Sequence, residues 1–207
     1  MAQSRETVNH PIFPIYGVLF PGMQLQVRLP RDSAPCPFED LVRRDRTLAV
    51  SLRRAPQETS KHIVEPHLVG TTARILDLQP KGASSLEILL AGVSRVHLLS
   101  YRHNGQHLVG QARYLPDLQE SIPGLLVEEA RALGSEFASS IPKQGTGGSR
   151  ALPKDAETLS YWIAQNLPIE LDDRQELLEL RTTSTRLSKE VSHMRVILDA
   201  LRSKHRF

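Results

Sequence analysis

The last quarter of the chain limits its possible folds more than any other stretch. From Leu177 onward, apolar residues return in alternating steps of three and four: Leu177, Leu180, Leu187, Val191, Met194, Leu198 and Leu201, with Ser184 the one polar member of the series. This spacing puts them all on one narrow face of a helix. The cluster Thr182-Thr183-Ser184 predicts a break and a fresh N-cap, so the long terminal helix is expected over 184–205. A helix with such a seam cannot bury it alone. The stripe Leu187, Val191, Met194, Leu198 and Leu201 is therefore a candidate interaction face. It packs either on another helix of this chain, around Leu126–Phe137, or on another chain as a coiled coil.

Two shorter helical patterns come before it. Asp155 to Leu167 carries Leu159, Trp162, Ile163 and Leu167 on one side, and Pro168 interrupts it because proline lacks an N–H and clashes with the preceding turn. Asp172 is placed to cap the next helix, with Gln175 at the reciprocal capping-box position. Further upstream, Leu126, Ala130, Leu133, Phe137 and Ile141 recur at helical spacing and predict an amphipathic helix from about Pro123 to Ser140. The glycine-rich run Gln144 to Ser149 is expected to be a flexible loop, drawn over 142–152.

The first half reads as β structure. Residues 1–10 show no periodicity and are expected to be a flexible arm. Pro21-Gly22 turns the chain, after which Met23, Leu25, Val27 and Leu29 alternate with polar residues as in a half-buried strand. Prolines 30, 35 and 37 make a stiff connection to a short helix, Phe38 to Arg44. Strands are predicted over Thr47–Leu52, Val69–Leu78, Leu86–Leu90 and Val93–Tyr101, with Gly92 a bend, and the charged stretch 53–66 is a loop. Asn104-Gly105 is a hairpin signal for a type I′ turn, returning through His107–Leu115. Short strands at regular spacing, with no helices between them, argue for an antiparallel barrel or sandwich. The fold class is thus α+β, with a β domain over 11–117 and a helical domain over 118–207.

Composition narrows the function. Hydrophobic residues make up 40% of the 207, enough for a real core. The net charge of +3 is too mild to imply nucleic acid, although Arg202, Lys204 and Arg206 make a basic end, read as a solvated helix end. The single cysteine, Cys36, has no partner for an internal disulfide, so the chain reads as intracellular and cytoplasmic. No apolar run reaches the roughly 18 residues of a spanning helix.

Four motifs carry a resemblance to a known family. Leu19-Phe20-Pro21-Gly22-Met23, Val69-Gly70-Thr71-Thr72-Ala73-Arg74-Ile75-Leu76, Gly92-Val93-Ser94-Arg95-Val96, and the segment from Ile163 to Glu179 resemble, in order and spacing, the N-terminal substrate-binding domain of Lon ATP-dependent proteases. The resemblance covers about residues 11–205. It implies a PUA-like pseudo-barrel followed by a helical bundle. It also implies a non-catalytic module that binds unfolded or degron-bearing proteins and helps assemble an ATPase–protease, as a fragment or a stand-alone relative. Phe13, Ile15, Tyr16, Phe20 and Met23 are the candidate substrate contacts, with barrel core as the competing role for each.

Catalytic and metal chemistry find little support. No G-x-x-x-x-G-K-[ST] loop is present to cradle a phosphate. Ser188 and Lys189 are adjacent on a helix and point to different faces, so they cannot form a serine–lysine dyad. His62 and His67 flank a loop, and His97, His103 and His107 lie in or near the hairpin strands, without the additional ligands of a closed metal site. The acidic pairs Asp172-Asp173 and Glu128-Glu129 read as first-turn helix charges. Neither cofactor nor metal is expected. The partners expected are protein substrates, the ATPase–protease module in cis or trans, and, in a homo-oligomer, a second copy of the chain. The alternative is a PUA-like RNA-binding module using Arg74, Arg95, Arg102 and Arg113, which aromatics at 5% of the chain do little to support.

Overall fold

The computed structural model describes residues 7–30, 38–44, 46–54, 65–140 and 152–204. They fall into two units, Met1–Pro116 and Asp117–Phe207. The first runs β1 (Thr7–Ile15), β2 (Gln24–Pro30), α1 (Phe38–Arg43), β3 (Leu48–Leu52), β4 (Val69–Lys81), β5 (Ser85–His103) and β6 (Leu108–Tyr114). The strands lie in the order β2-β5-β4-β3-β1-β6, and β6 returns to pair with β5, closing five of them into a barrel.

Closure depends on β5 being long enough to serve twice. Its first half, Ser85–Ala91, lies between β2 and β4, and its second half, Val96–His103, pairs with β6. The predicted strands 86–90 and 93–101 are thus one strand. Where the bend was expected, the register shifts: Ala73 faces Gly92 and Thr72 faces Ser94, so Val93 is the extra residue of a bulge.

Three other details differ from the sequence reading. β1 and β3 run parallel, from Ile12↔Ala49 to Ile15↔Leu52, in a sheet expected to be antiparallel. The intervening β2 and α1 provide the long crossover that a parallel pair needs. Thr7–His10 belong to β1 and pair with Arg113–Gly110 of β6, although they were assigned to the arm. They are mostly exposed, so the backbone ladder holds them and leaves no apolar pattern to read. The hairpin loop has four residues, Asn104–His107, between the paired His103 and Leu108. The Asn104 side chain accepts from the N–H groups of Gln106 and His107, which replaces the expected two-residue turn.

Strand alternation sorts the apolar side chains into two clusters. Phe13, Ile15, Leu48 and Val50 join Leu19, Phe38, Leu41, Ile88 and Leu90 on one side. Ile12 and Ala49 join Val96, Leu98, Leu108 and Ala112 on the other. Every residue of β3 is buried because both of its faces meet a core.

The second unit contains α2 (Gly124–Ser140), α3 (Ala156–Asn166), α4 (Leu171–Glu179) and α5 (Thr183–Lys204). Leu187, Val191, Met194 and Leu198 of the terminal stripe are buried, and α5 packs against α2 and α3. Leu201 is half-buried. The stripe is therefore satisfied in cis. Arg195 pairs with Glu129, and Arg202 with Glu136 at 2.7 Å. The two pairs are one heptad apart in the same direction on both helices, so α2 and α5 run parallel. The predicted break is present, with the Thr182 hydroxyl accepting from the Thr185 N–H at 3.3 Å. Asp155 caps α3 through the Thr158 N–H at 2.9 Å. Asp172 does not cap α4. The N-cap is Glu170, without a side-chain bond, while Asp172 lies in the first turn and Gln175 bonds Glu179 instead.

Candidate functional site

The motifs quoted from the β unit meet in space. Pro21 and Gly22 form a turn, with Gly22 at φ 74°. The Gly22 N–H donates to the Gly92 carbonyl at 3.0 Å, and the Gly92 N–H donates to the Met23 carbonyl at 2.8 Å. A Cβ on Gly92 would lie 2.2 Å from the Phe20 carbonyl oxygen, so no other residue fits there unchanged. The buried Thr71 hydroxyl donates to the Leu19 carbonyl at 2.6 Å. Leu19–Met23 is thus clamped between β4 and β5.

That clamp decides what the candidate contacts can do. Phe20 is fully buried, and Phe13 and Ile15 are core residues at 3% and 5% exposure. Phe13 packs edge-on against Phe38, with centroids 5.0 Å apart. These three are walls of the β unit, and a ligand reaches none of them without opening it. Met23 is half-buried against the same cluster. Tyr16 alone is open, 75% exposed, with the Arg53 guanidinium 5.1 Å from its ring centre.

An apolar groove that the sequence reading did not single out lies between α1 and β4. Val42, Ile75, Leu76 and Leu78 line it, with Glu39, Arg43 and Asp77 around them. Val42 and Leu76 are both about half exposed. The β4–β5 register shifts between Ile75 and Asp77, so Leu76 is the unpaired residue of a bulge that turns it out of the sheet. The one trace in the sequence is Ile75-Leu76, two successive apolar residues where a half-buried strand should alternate.

The other candidates are dispersed. His103 and His107 flank the hairpin loop. Burial, and then the neighbouring His103, lowers the pKa of His107. Among the described residues no three His, Cys, Asp or Glu side chains gather as a metal site, and His62 and Cys36 lie outside those residues, as do 142–151 of the expected loop. Arg74, Arg102 and Arg113 are exposed but Arg95 is buried at 2%, which removes it from any basic face. The Ser188 hydroxyl donates to the Ser184 carbonyl, while Lys189 pairs with Glu176. Glu128 and Glu129 lie beyond the first turn of α2, where they were expected, and Glu129 pairs with Arg195. Arg202, read as part of a solvated end, pairs with Glu136, and Arg206 lies outside the described residues.

The helical unit holds a buried polar chain that periodicity could not show. Arg186, fully buried, donates to Asp117 at 2.8 and 3.3 Å and from Nε to the Ser160 hydroxyl at 2.7 Å. Ser160 in turn donates to Glu190 Oε1 at 2.8 Å. The guanidinium stacks on Tyr161, 4.2 Å from the ring centre, and Thr183 donates to Asp117 at 2.6 Å. Burial works against the Arg186 charge, but the bonds to Asp117 and the nearby acidic groups prevail and raise its pKa. Burial pushes the Glu190 carboxyl well above the ordinary glutamate range, opposed only in part by Ser160 and Arg186.

The comparisons with known proteins agree with this architecture. The family model of the ATP-dependent protease La (LON) substrate-binding domain matches residues 9–196. A Lon protease of Erwinia amylovora is 23% identical over 207 residues, covering 97% of this chain and 26% of that protein. A Lon protease of Xanthomonas oryzae pv. oryzae is 26% identical over 199 residues, 90% of this chain and 23% of its own length. The chain therefore spans about a quarter of these relatives, and the match leaves out the rest of them. Among solved structures, the N-terminal domain of Mycobacterium avium complex Lon protease superposes with a TM-score of 0.68 at 13% identity, covering 91% of this chain and 98% of that one. A Lon N-terminal domain protein from Xanthomonas campestris gives a TM-score of 0.66 at 21% identity, covering 89% and 98%. With a family model spanning nearly its whole length and the same fold in both solved domains, the chain belongs to the family of Lon substrate-binding domains.

Proposed function

We infer that the chain recognises unfolded or degron-bearing proteins for ATP-dependent proteolysis, with the groove between α1 and β4 as its contact surface. The observation behind this reading is the exposure of Val42 and Leu76 side by side over the half-buried Ile75 and Leu78. Folded proteins bury the apolar segments that such a groove accepts, so a short apolar floor with a charged rim favours unfolded chains. Tyr16, beneath Arg53, adds a second exposed contact on the same unit. Phe13, Ile15 and Phe20 serve the site from inside, by holding the strands that present it. ATP hydrolysis and peptide cleavage belong to an ATPase–protease module, joined or separate, and the chain acts in the cytoplasm without a cofactor.

Titration against a labelled unfolded protein, with its native form as control, tests the reading. Binding should be selective for the unfolded form and tolerant of salt. Leu76→Ser should weaken it about tenfold, the loss expected when one partly buried leucine stops contributing. Unchanged binding by Leu76→Ser and Val42→Ser overturns the groove. Absence of selectivity overturns the recognition role, and strongly salt-dependent binding of an RNA competitor favours the alternative.

A further inference from the structure

The buried chain of the helical unit contains one cation and two acids, which sets up a problem of charge. Asp117 takes two N–H groups of Arg186, the Nε–H goes to Ser160, and Nη2 also donates to the Thr183 hydroxyl at 3.4 Å. Because the Ser160 oxygen accepts from Arg186, its own proton goes to Glu190 Oε1. Glu190 Oε2 is buried and has no hydrogen-bond partner. An ionised Glu190 would be a second negative charge beside one positive charge already matched by Asp117. Leaving a neutral acid hydroxyl unmatched costs less than leaving a full charge so.

Among the described residues, Arg186 is the one cation that acts on Glu190. Arg186 is on its own helix and is shared with Asp117. On α3, the Tyr161 hydroxyl has one proton to give and lies 3.2 Å from Glu157 and 3.5 Å from Asp117. The charges of α2 and α4 that meet α5, namely Glu129, Glu136 and Glu176, pair at the surface with Arg195, Arg202 and Lys189.

We propose that Glu190 is held protonated inside the helical unit, and that loss of this proton as the pH rises loosens α3 from α5. The unfolded chain releases the proton in the ordinary glutamate range while the folded unit keeps it. The folded unit therefore binds more protons, and its stability falls as pH rises above that range. Glu190→Gln keeps the shape and the acceptor for Ser160 but cannot ionise, so it copies the protonated state.

Urea unfolding, followed by the fluorescence of Trp162 on α3, tests this between about pH 5 and about pH 8. Relative to Glu190→Gln, the unfolding equilibrium constant of the unmodified chain should rise about tenfold for each pH unit over which only the folded state keeps the proton. Parallel pH profiles for the two proteins overturn the proposal. If the variant does not fold, carboxyl-carbon NMR of the unmodified chain decides. One glutamate titrating far above the others supports the proposal, and all titrating in the ordinary range overturns it.

Discussion

The two units solve the same packing problem by different means. In the β unit a tight contact runs from backbone to backbone: the Leu19–Met23 turn sits on Gly92, and Thr71 fastens it with one hydroxyl. In the helical unit the packing runs through side chains, with an apolar stripe on α5 and a buried chain of polar groups from Asp117 to Glu190. A backbone clamp tolerates no added atom. A buried ionic chain tolerates no missing partner. The units should thus fail under opposite kinds of substitution, one by addition and the other by deletion.

The largest effect should come from the helical unit. Arg186→Met replaces the cation with an apolar side chain, leaving the Asp117 carboxylate without its counter-charge and Ser160 without its donor. Breaking a buried pair from one side costs about 3–5 kcal/mol, much more than the pair itself is worth. Urea unfolding at neutral pH, read through Trp162, should show that loss. A change below about 1 kcal/mol, the scale of a surface pair, would mean that solvent reaches the chain.

Addition should break the β unit. Gly92→Ala places a methyl 2.2 Å from the Phe20 carbonyl oxygen, and a carbonyl within a clamped turn has little room to retreat. Overpacking of this kind costs about 1–3 kcal/mol. The loss should appear as faster amide exchange in β2 and β5, whose pairing starts at this contact. Unchanged exchange would show that the turn slides freely.

How legible each region was follows from the same contrast. The α5 stripe could be read because its repeat is local, and Asp155 because a cap is a short-range device. The parallel course of α2 and α5 could not, since it depends on Glu129 and Glu136 finding Arg195 and Arg202 far along the chain. Closure of the barrel by β5 was hidden for the same reason. Among the candidate contacts, Phe13, Ile15 and Phe20 were recognisable as apolar and important, but residue type does not say which side of a sheet a residue faces. Leu76 shows the converse, being exposed through a bulge that only pairing with β5 defines. Asp172 was misread as a cap because Glu170, two residues earlier, already marks the helix start.

The smallest expected effect separates local from long-range order inside the helical unit. Asp155 accepts from both the N–H and the hydroxyl of Thr158, each at 2.9 Å, at the start of the helix that carries Ser160 and Tyr161. Asp155→Ala removes the cap at an exposed position, which costs about 1 kcal/mol. Asp155→Asn, which keeps an acceptor, should recover most of it. If the first turn of α3 frays independently, the double variant with Arg186→Met should show additive losses. If the cap helps to aim Ser160 at Arg186, the double variant should lose less than the sum, because the polar chain it supports is already broken. Urea unfolding of the two single variants and the double variant therefore shows whether a surface cap and a buried ion pair act as one structure or two.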